Sequence, residues 1–204
     1  MIAALVDYGA GNLTSVVKAF EACGATIRIV SSPDQLAGAE ALVIPGVGHF
    51  GRTASLDGRW RGAIRARIAA GVPVLGICLG MHWLFSGSDE APGVEGLGVF
   101  AERCARLTGP VKIPHVGWNS LDLTDRPSRL LQGVEPGAYA YFSHSYAVTS
   151  AADTIATTTH GGSFVSVVER GVVAGAQFHP EKSADTGLRM LANFLAMARA
   201  EAEC

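Results

Sequence analysis

Val74-Leu75-Gly76-Ile77-Cys78-Leu79-Gly80-Met81-His82 is the stretch on which the reading of this chain turns. Val72 to Ile77 is an apolar run of the kind a strand buried on both faces carries, and a helical stretch starts at Leu79. A cysteine stands where the one passes into the other, with glycine two positions before it and two after. That is the G-x-nucleophile-x-G elbow, with cysteine in place of serine. The glycines are required because side chains beside so sharp a turn would collide with neighbouring backbone. Unpaired N–H groups at the helix start favour a thiolate and raise its reactive fraction. The Leu79 N–H is placed to meet a developing oxyanion.

Outward from the elbow, two periods alternate. Ile2 to Val6 is a buried-strand run, and Asn12 caps a helix whose Leu13, Val16, Val17 and Phe20 fall on one face, ended by Gly24. Thr26–Val30 and Ala41–Ile44 read as strands. Leu56, Trp60, Ala63, Ile64 and Ile68 mark a second helix closed by Gly71. The βαβαβ pattern predicts a mostly parallel sheet with right-handed crossovers. After it come short runs at 98–107, 139–143, 146–150, 154–159, 164–169 and 172–177, separated by turn residues, which predict hairpins added to one part of the sheet. Leu188, Leu191, Ala192 and Leu195 restore helical spacing at the end. With no linker-like tract and no internal repeat, residues 1–204 read as a single α/β domain.

A cysteine nucleophile needs a base, and the base an orienting acceptor. Of six histidines (His49, His82, His115, His144, His160 and His179), the last stands out. Gln177-Phe178-His179-Pro180-Glu181-Lys182 directly follows a predicted strand, and residues two apart on extended backbone face the same side. Taken alone, His-Pro-Glu is a surface turn; beside the elbow it makes Cys78, His179 and Glu181 a candidate catalytic triad. Cys23, Cys104 and Cys204 read as small core residues.

Composition narrows the field. The 204 residues are 49% hydrophobic and 17% charged, with 16 Lys plus Arg against 18 Asp plus Glu for a net charge of −2. No basic stripe marks a nucleic-acid binder. No apolar stretch reaches the roughly 18–20 residues of a membrane span, and the N-terminus lacks the basic flank of a signal peptide. The four scattered cysteines form neither a zinc pair nor a disulfide framework. The expectation is a cytoplasmic protein with no metal and no organic cofactor.

Gly-Ile-Cys-Leu-Gly-Met and Phe-His-Pro-Glu-Lys-Ser resemble the two signatures of the class I, triad-type glutamine amidotransferases. Asp7–Asn12, Pro45–Gly48, Pro114–Asn119 and His144–Tyr146 narrow the resemblance to the glutaminase subunits of imidazole glycerol phosphate synthases, in collinear order from residue 2 to about 195. The resemblance implies a three-layer fold with helices on both faces of the sheet. It implies hydrolysis of glutamine to glutamate and ammonia, with Cys78 attacking the amide, His179 moving the proton and Glu181 orienting His179. Gly46, Val47, Gly48 and Leu79 would supply the oxyanion site, with a Gly46–Gly48 peptide able to turn between donor-in and donor-out. Glu90 (or Asp89 beside it) would meet the substrate α-amino group and Ser145 would complete the pocket. The position of His82 is usually glutamine in the family and grips substrate, so that contact stands open here. The partner would be a (β/α)8-barrel cyclase that takes up the ammonia to make imidazole glycerol phosphate and aminoimidazole carboxamide ribotide in histidine biosynthesis. Asn12, Trp118, Asn119, Tyr141 and Lys182 would face that partner.

Other readings compete. Gly46-x-Gly48-x-x-Gly51 formally matches a dinucleotide fingerprint, yet Pro45 fills the tight turn and no acidic residue follows about 20 positions on. A paralogous subunit feeding ammonia to another synthase, and a non-catalytic scaffold, are the remaining alternatives.

Overall fold

The structure, a computed structural model, describes residues 1–202, so Cys204 lies outside the described residues. The first half runs β1 (Ile2–Val6), α1 (Leu13–Ala22), β2 (Thr26–Val30), β3 (Ala41–Ile44), α2 (Gly58–Ala69), β4 (Val74–Ile77) and α3 (Leu79–Leu84). Strands follow: β5 (Gly87–Ser88), β6 (Arg103–Arg106), β7 (His115–Ser120), β8 (Asp122–Leu123), β9 (Tyr139–His144), β10 (Tyr146–Ala147), β11 (Thr154–His160), β12 (Gly162–Arg170) and β13 (Val173–Ala176). Helix α4 (Ala184–Ala202) closes the chain.

The main sheet has eight strands in the order β2-β1-β3-β4-β13-β12-β11-β8. Its pairs from β2 to β13 are parallel, and β13-β12, β12-β11 and β11-β8 are antiparallel. The apolar runs are double-sided because successive side chains point to opposite faces. Ala3 and Leu5 join the core that holds Phe20 of α1 and Phe194 of α4, whereas Ala4 and Val6 join the core that holds Trp60 and Ile64 of α2. That is the three-layer arrangement expected. Helix α2 starts later than its apolar spacing suggests: Asp57 accepts from the N–H groups of Arg59 (2.9 Å) and Trp60 (3.2 Å), leaving buried Leu56 just outside.

The second half differs from the expectation in one respect. Only β11 to β13, with β8, extend the main sheet. The run at 98–107 pairs only over β6, in a small β10-β6-β5 sheet, and Pro114–Asn119 supplies a strand, β7, that pairs with β9 alone. Cys104 is buried and Cys23 is half-buried, its thiol 3.6 Å from the Leu188 carbonyl.

Candidate active site

Three neighbouring strands deliver the site. Gly76 of β4 stands opposite Ile44 of β3, and Ile77 opposite Ala176 of β13. The next residues in each strand direction, from Pro45, Cys78 and Gln177 onward, therefore emerge side by side at the carboxyl ends of three central strands. This is where ligands sit in open parallel sheets. Cys78 has φ 51° and ψ −105°, a region only a firmly held non-glycine residue keeps. The hold is visible: its N–H donates to the Ala176 carbonyl at 2.7 Å, and the flanking glycines cannot carry side chains. A Cβ on Gly76 would lie 2.7 Å from the Gly80 carbonyl oxygen, and one on Gly80 would lie 1.8 Å from that of Ile44.

The His179 ring stands close enough to Cys78 for the sulfur to act on its protonation, and its Nδ1 lies 2.8 Å from Glu181 Oε1. Both ring and carboxylate are buried. Burial disfavours the imidazolium, but the adjoining Cys78 sulfur and the Glu181 carboxylate outweigh it and raise His179 to about 10. Glu181 does not reach the ring along extended backbone; it sits on a single 3₁₀ turn, Pro180–Lys182, that folds the carboxylate back. The turn is fixed by His179 N–H to the Tyr141 carbonyl (2.9 Å) and by Ser183 Oγ donating to the His179 carbonyl (2.6 Å).

The Leu79 N–H donates to the Gly46 carbonyl at 3.3 Å, so that carbonyl lies against the nucleophile's helix start. Tyr8 holds the preceding carbonyl, its hydroxyl donating to Pro45 at 2.7 Å. Val47 and Gly48 are exposed beyond it. Glu90 accepts the Phe50 N–H at 2.7 Å and so borders this segment, while Asp89 turns outward to Arg103 at 3.5 Å. Ser145 is half-buried, its carbonyl accepting from Leu107 N–H at 2.9 Å. A 3₁₀ turn, Phe50–Ser55, follows the Gly46–Gly51 loop, where a dinucleotide fingerprint needs an α-helix. His82 is buried, its Nε2 2.7 Å from Gln177 Oε1, and Gln177 Nε2 donates to Cys78 Sγ at 3.9 Å. Sequence reasoning missed Gln177 and Tyr8. For Gln177 a signal existed, since it stands at the end of the strand that delivers His179, two positions before it.

Around the corner, Trp118 and Tyr141 are register partners on β7 and β9, edge to face at 6.1 Å, with Lys182 Nζ 5.7 Å from the Tyr141 ring. Trp118 is 51% exposed, and Val116 and Tyr139 on the same two strands are 57% and 60% exposed. Exposed Asn12 caps α1, as its place in sequence suggests. Asn119 is half-buried, its amide donating to Thr159 O (3.0 Å) and His115 Nε2 (3.2 Å). Among the described residues, no group of His, Cys, Asp or Glu could hold a metal ion, and no helix is long and apolar enough to cross a membrane.

A family model described as glutamine amidotransferase class-I matches residues 4–198. The chain is 45% identical over 196 residues to imidazole glycerol phosphate synthase subunit HisH of Deinococcus radiodurans, covering 93% of this chain and 91% of that one. It is 43% identical over 199 residues to the subunit of the same name from Methanothermobacter thermautotrophicus, covering 97% and 99%. In fold it is similar to a crystallised glutamine amidotransferase (TM-score 0.76, 20% identity, 96% of this chain and 98% of that one). It is also similar to PurLQS from Thermotoga maritima (TM-score 0.77, 17% identity, 96% and 97%).

Proposed function

The chain belongs to the class-I glutamine amidotransferase family, and we propose that it is the glutaminase subunit of an imidazole glycerol phosphate synthase, acting in histidine biosynthesis. One observation carries this: a cysteine on a strained elbow stands beside a buried histidine whose Nδ1 is held 2.8 Å from a buried glutamate. The Cys78 sulfur attacks the glutamine side-chain amide carbon. The tetrahedral oxyanion takes the Leu79 N–H and a backbone N–H of the 45–48 segment. His179 gives its proton to the departing nitrogen, ammonia leaves and a thioester remains. Water then attacks the thioester, His179 takes up its proton, and glutamate is released. Gly46, Val47, Gly48, Leu79, Glu90 and Ser145 are the proposed substrate-side residues, while buried His82 is engaged by Gln177 instead.

Before attack the Leu79 N–H must be freed from the Gly46 carbonyl, which the glycines of this segment permit by a peptide turn. That requirement supports a glutaminase that is quiet alone and is switched on by its partner. The partner is a (β/α)8-barrel cyclase, forming a heterodimer and taking up the ammonia by direct channelling. Its contact surface is the Trp118, Tyr141 and Lys182 patch with Asn12 and Asn119, since aromatic anchors dominate interfaces.

The test is co-expression with the cognate cyclase and assay of imidazole glycerol phosphate formation from glutamine and from ammonium salt. Cys78→Ala is expected to abolish the glutamine-dependent reaction and spare the ammonia-dependent one. Equal rates for Cys78→Ala and the parent on glutamine defeat the proposal.

A further inference from the structure

We propose that His82 is a positioning residue for the nucleophile: it fixes the Gln177 side chain so that an N–H, rather than a carbonyl, faces Cys78. An amide has a donor end and an acceptor end, and which end meets the sulfur decides whether the contact suits a thiolate or a thiol. Gln177 is fully buried, so no water is available to compensate either end. Its two ends have one partner each: Oε1 lies 2.7 Å from His82 Nε2, and Nε2 donates to Cys78 Sγ at 3.9 Å.

The arrangement is self-consistent only for one tautomer. Burial lowers the pKa of His82, the first of its causes, so the ring is neutral and has a single N–H. With that hydrogen on Nε2 it donates to Gln177 Oε1 and the amide N–H points at sulfur. With the hydrogen on Nδ1, Nε2 becomes an acceptor, the amide reverses and its carbonyl opposes the sulfur. The tautomer of His82 thus sets the orientation of Gln177. Besides His179, the titratable groups whose charge field reaches this corner are Tyr8 and Cys104 at Cys78 and Glu90 and His144 at His82. None of these is Gln177's hydrogen-bond partner, so the amide answers to His82.

The inference rests on the glutaminase reading only for its kinetic arm. In the intact chain, ¹⁵N-detected NMR of the ring is expected to show the Nε2–H tautomer at His82; an Nδ1–H tautomer overturns the proposal, and this arm needs no variant. Cys78 alkylation by iodoacetamide is expected to slow about tenfold in His82→Leu and in Gln177→Leu, and no further in the double variant, because one hydrogen-bonded unit is being removed. With the cyclase bound, both single variants are expected to lose about tenfold in kcat with KM for glutamine within about twofold, and His82→Gln to restore most of it. A rise in KM at unchanged kcat and unchanged alkylation would instead make His82 a substrate contact and overturn the proposal. Additive losses in the double variant overturn it too. If the parent complex turns over no glutamine, the glutaminase reading fails by itself, while the tautomer and alkylation arms still decide this one.

Discussion

Replacing Cys78 by alanine should lower the titration midpoint of His179 from about 10 into a range set by Glu181 alone. In the parent, burial opposes the imidazolium, and the raised value survives only because two neighbours support the charge: the Cys78 sulfur, and Glu181 at 2.8 Å. A close opposite charge typically moves a pKa by about 1–3, so loss of the sulfur should bring the midpoint to about 7–9. The assay is NMR titration of the His179 ring carbon-bound protons, assigned with His179→Asn. His115 and His144 do not interfere, since burial first, and neighbouring histidines after it, hold them down to about 4 and about 3. The stability consequence has a definite sign. His179 binds its proton more tightly folded than unfolded, so its contribution is complete below about 6.5 and fades as the pH climbs through about 10, at about 1.4 kcal/mol for each tenfold in proton affinity. Cys78→Ala should therefore lose its share between pH 7 and 9 and resemble the parent above 10. A midpoint unmoved by the substitution would show that the sulfur and the ring do not interact, and the site as described would fall with it.

Gly80→Ala should unfold the protein or cost upwards of about 4 kcal/mol in chemical denaturation, because the new Cβ would lie 1.8 Å from the Ile44 carbonyl oxygen. Gly62→Ala, in the open middle of α2 with nothing within 4 Å, should instead stabilise by about 1 kcal/mol, and the pair of melts checks both signs. Asp57→Ala removes an acceptor for two helix N–H groups and should cost about 1 kcal/mol, read by the same denaturation. His115 and His144 are neutral in the fold, linked at 3.1 Å, and would take up protons more readily once unfolded. Their contribution is present above about 6.5 and drains as the pH falls towards about 4 and then about 3. Stability measured from pH 7 to 4 should fall steeply, and His144→Asn should flatten that slope; an unchanged slope refutes the assignment.

Much of this was readable from sequence because it depends on short-range rules. The elbow needs small residues at fixed offsets, and Gly76 and Gly80 stand at them. The parallel half needs apolar runs alternating with helical spacing, and β1 to β4 supply them. What escaped is decided by contacts far apart in the chain. His-Val-Gly-Trp-Asn-Ser has no apolar run, so β7 has no strand signal; it forms because it pairs with β9 while exposing Val116 and Trp118. Gln177 and His82 are 95 positions apart, and nothing local to either announces the other. Glu181 was assigned to the right neighbour by the wrong geometry: extended spacing and a 3₁₀ turn both bring positions two apart together, and only the bonds through Ser183 and Tyr141 select the turn.

The order of strands explains why so distant a set of residues converges. β13 enters the sheet beside β4 only after the chain has made its antiparallel strands, yet it runs parallel to β4 with Ala176 opposite Ile77. A slip of one residue in that pairing would turn every β13 side chain to the other face. Gln177 would then leave Cys78, and His179 would leave with it. Register is pinned from both sides: Val173, Ala174 and Ala176 are buried, and a Cβ on Gly175 would lie 2.8 Å from Met81 Cγ on α3. The small residue that lets the nucleophile's own helix lie across β13 thus also fixes where the base arrives. Gly175→Val should accordingly disrupt the geometry of Cys78 and His179 together, although it touches neither side chain.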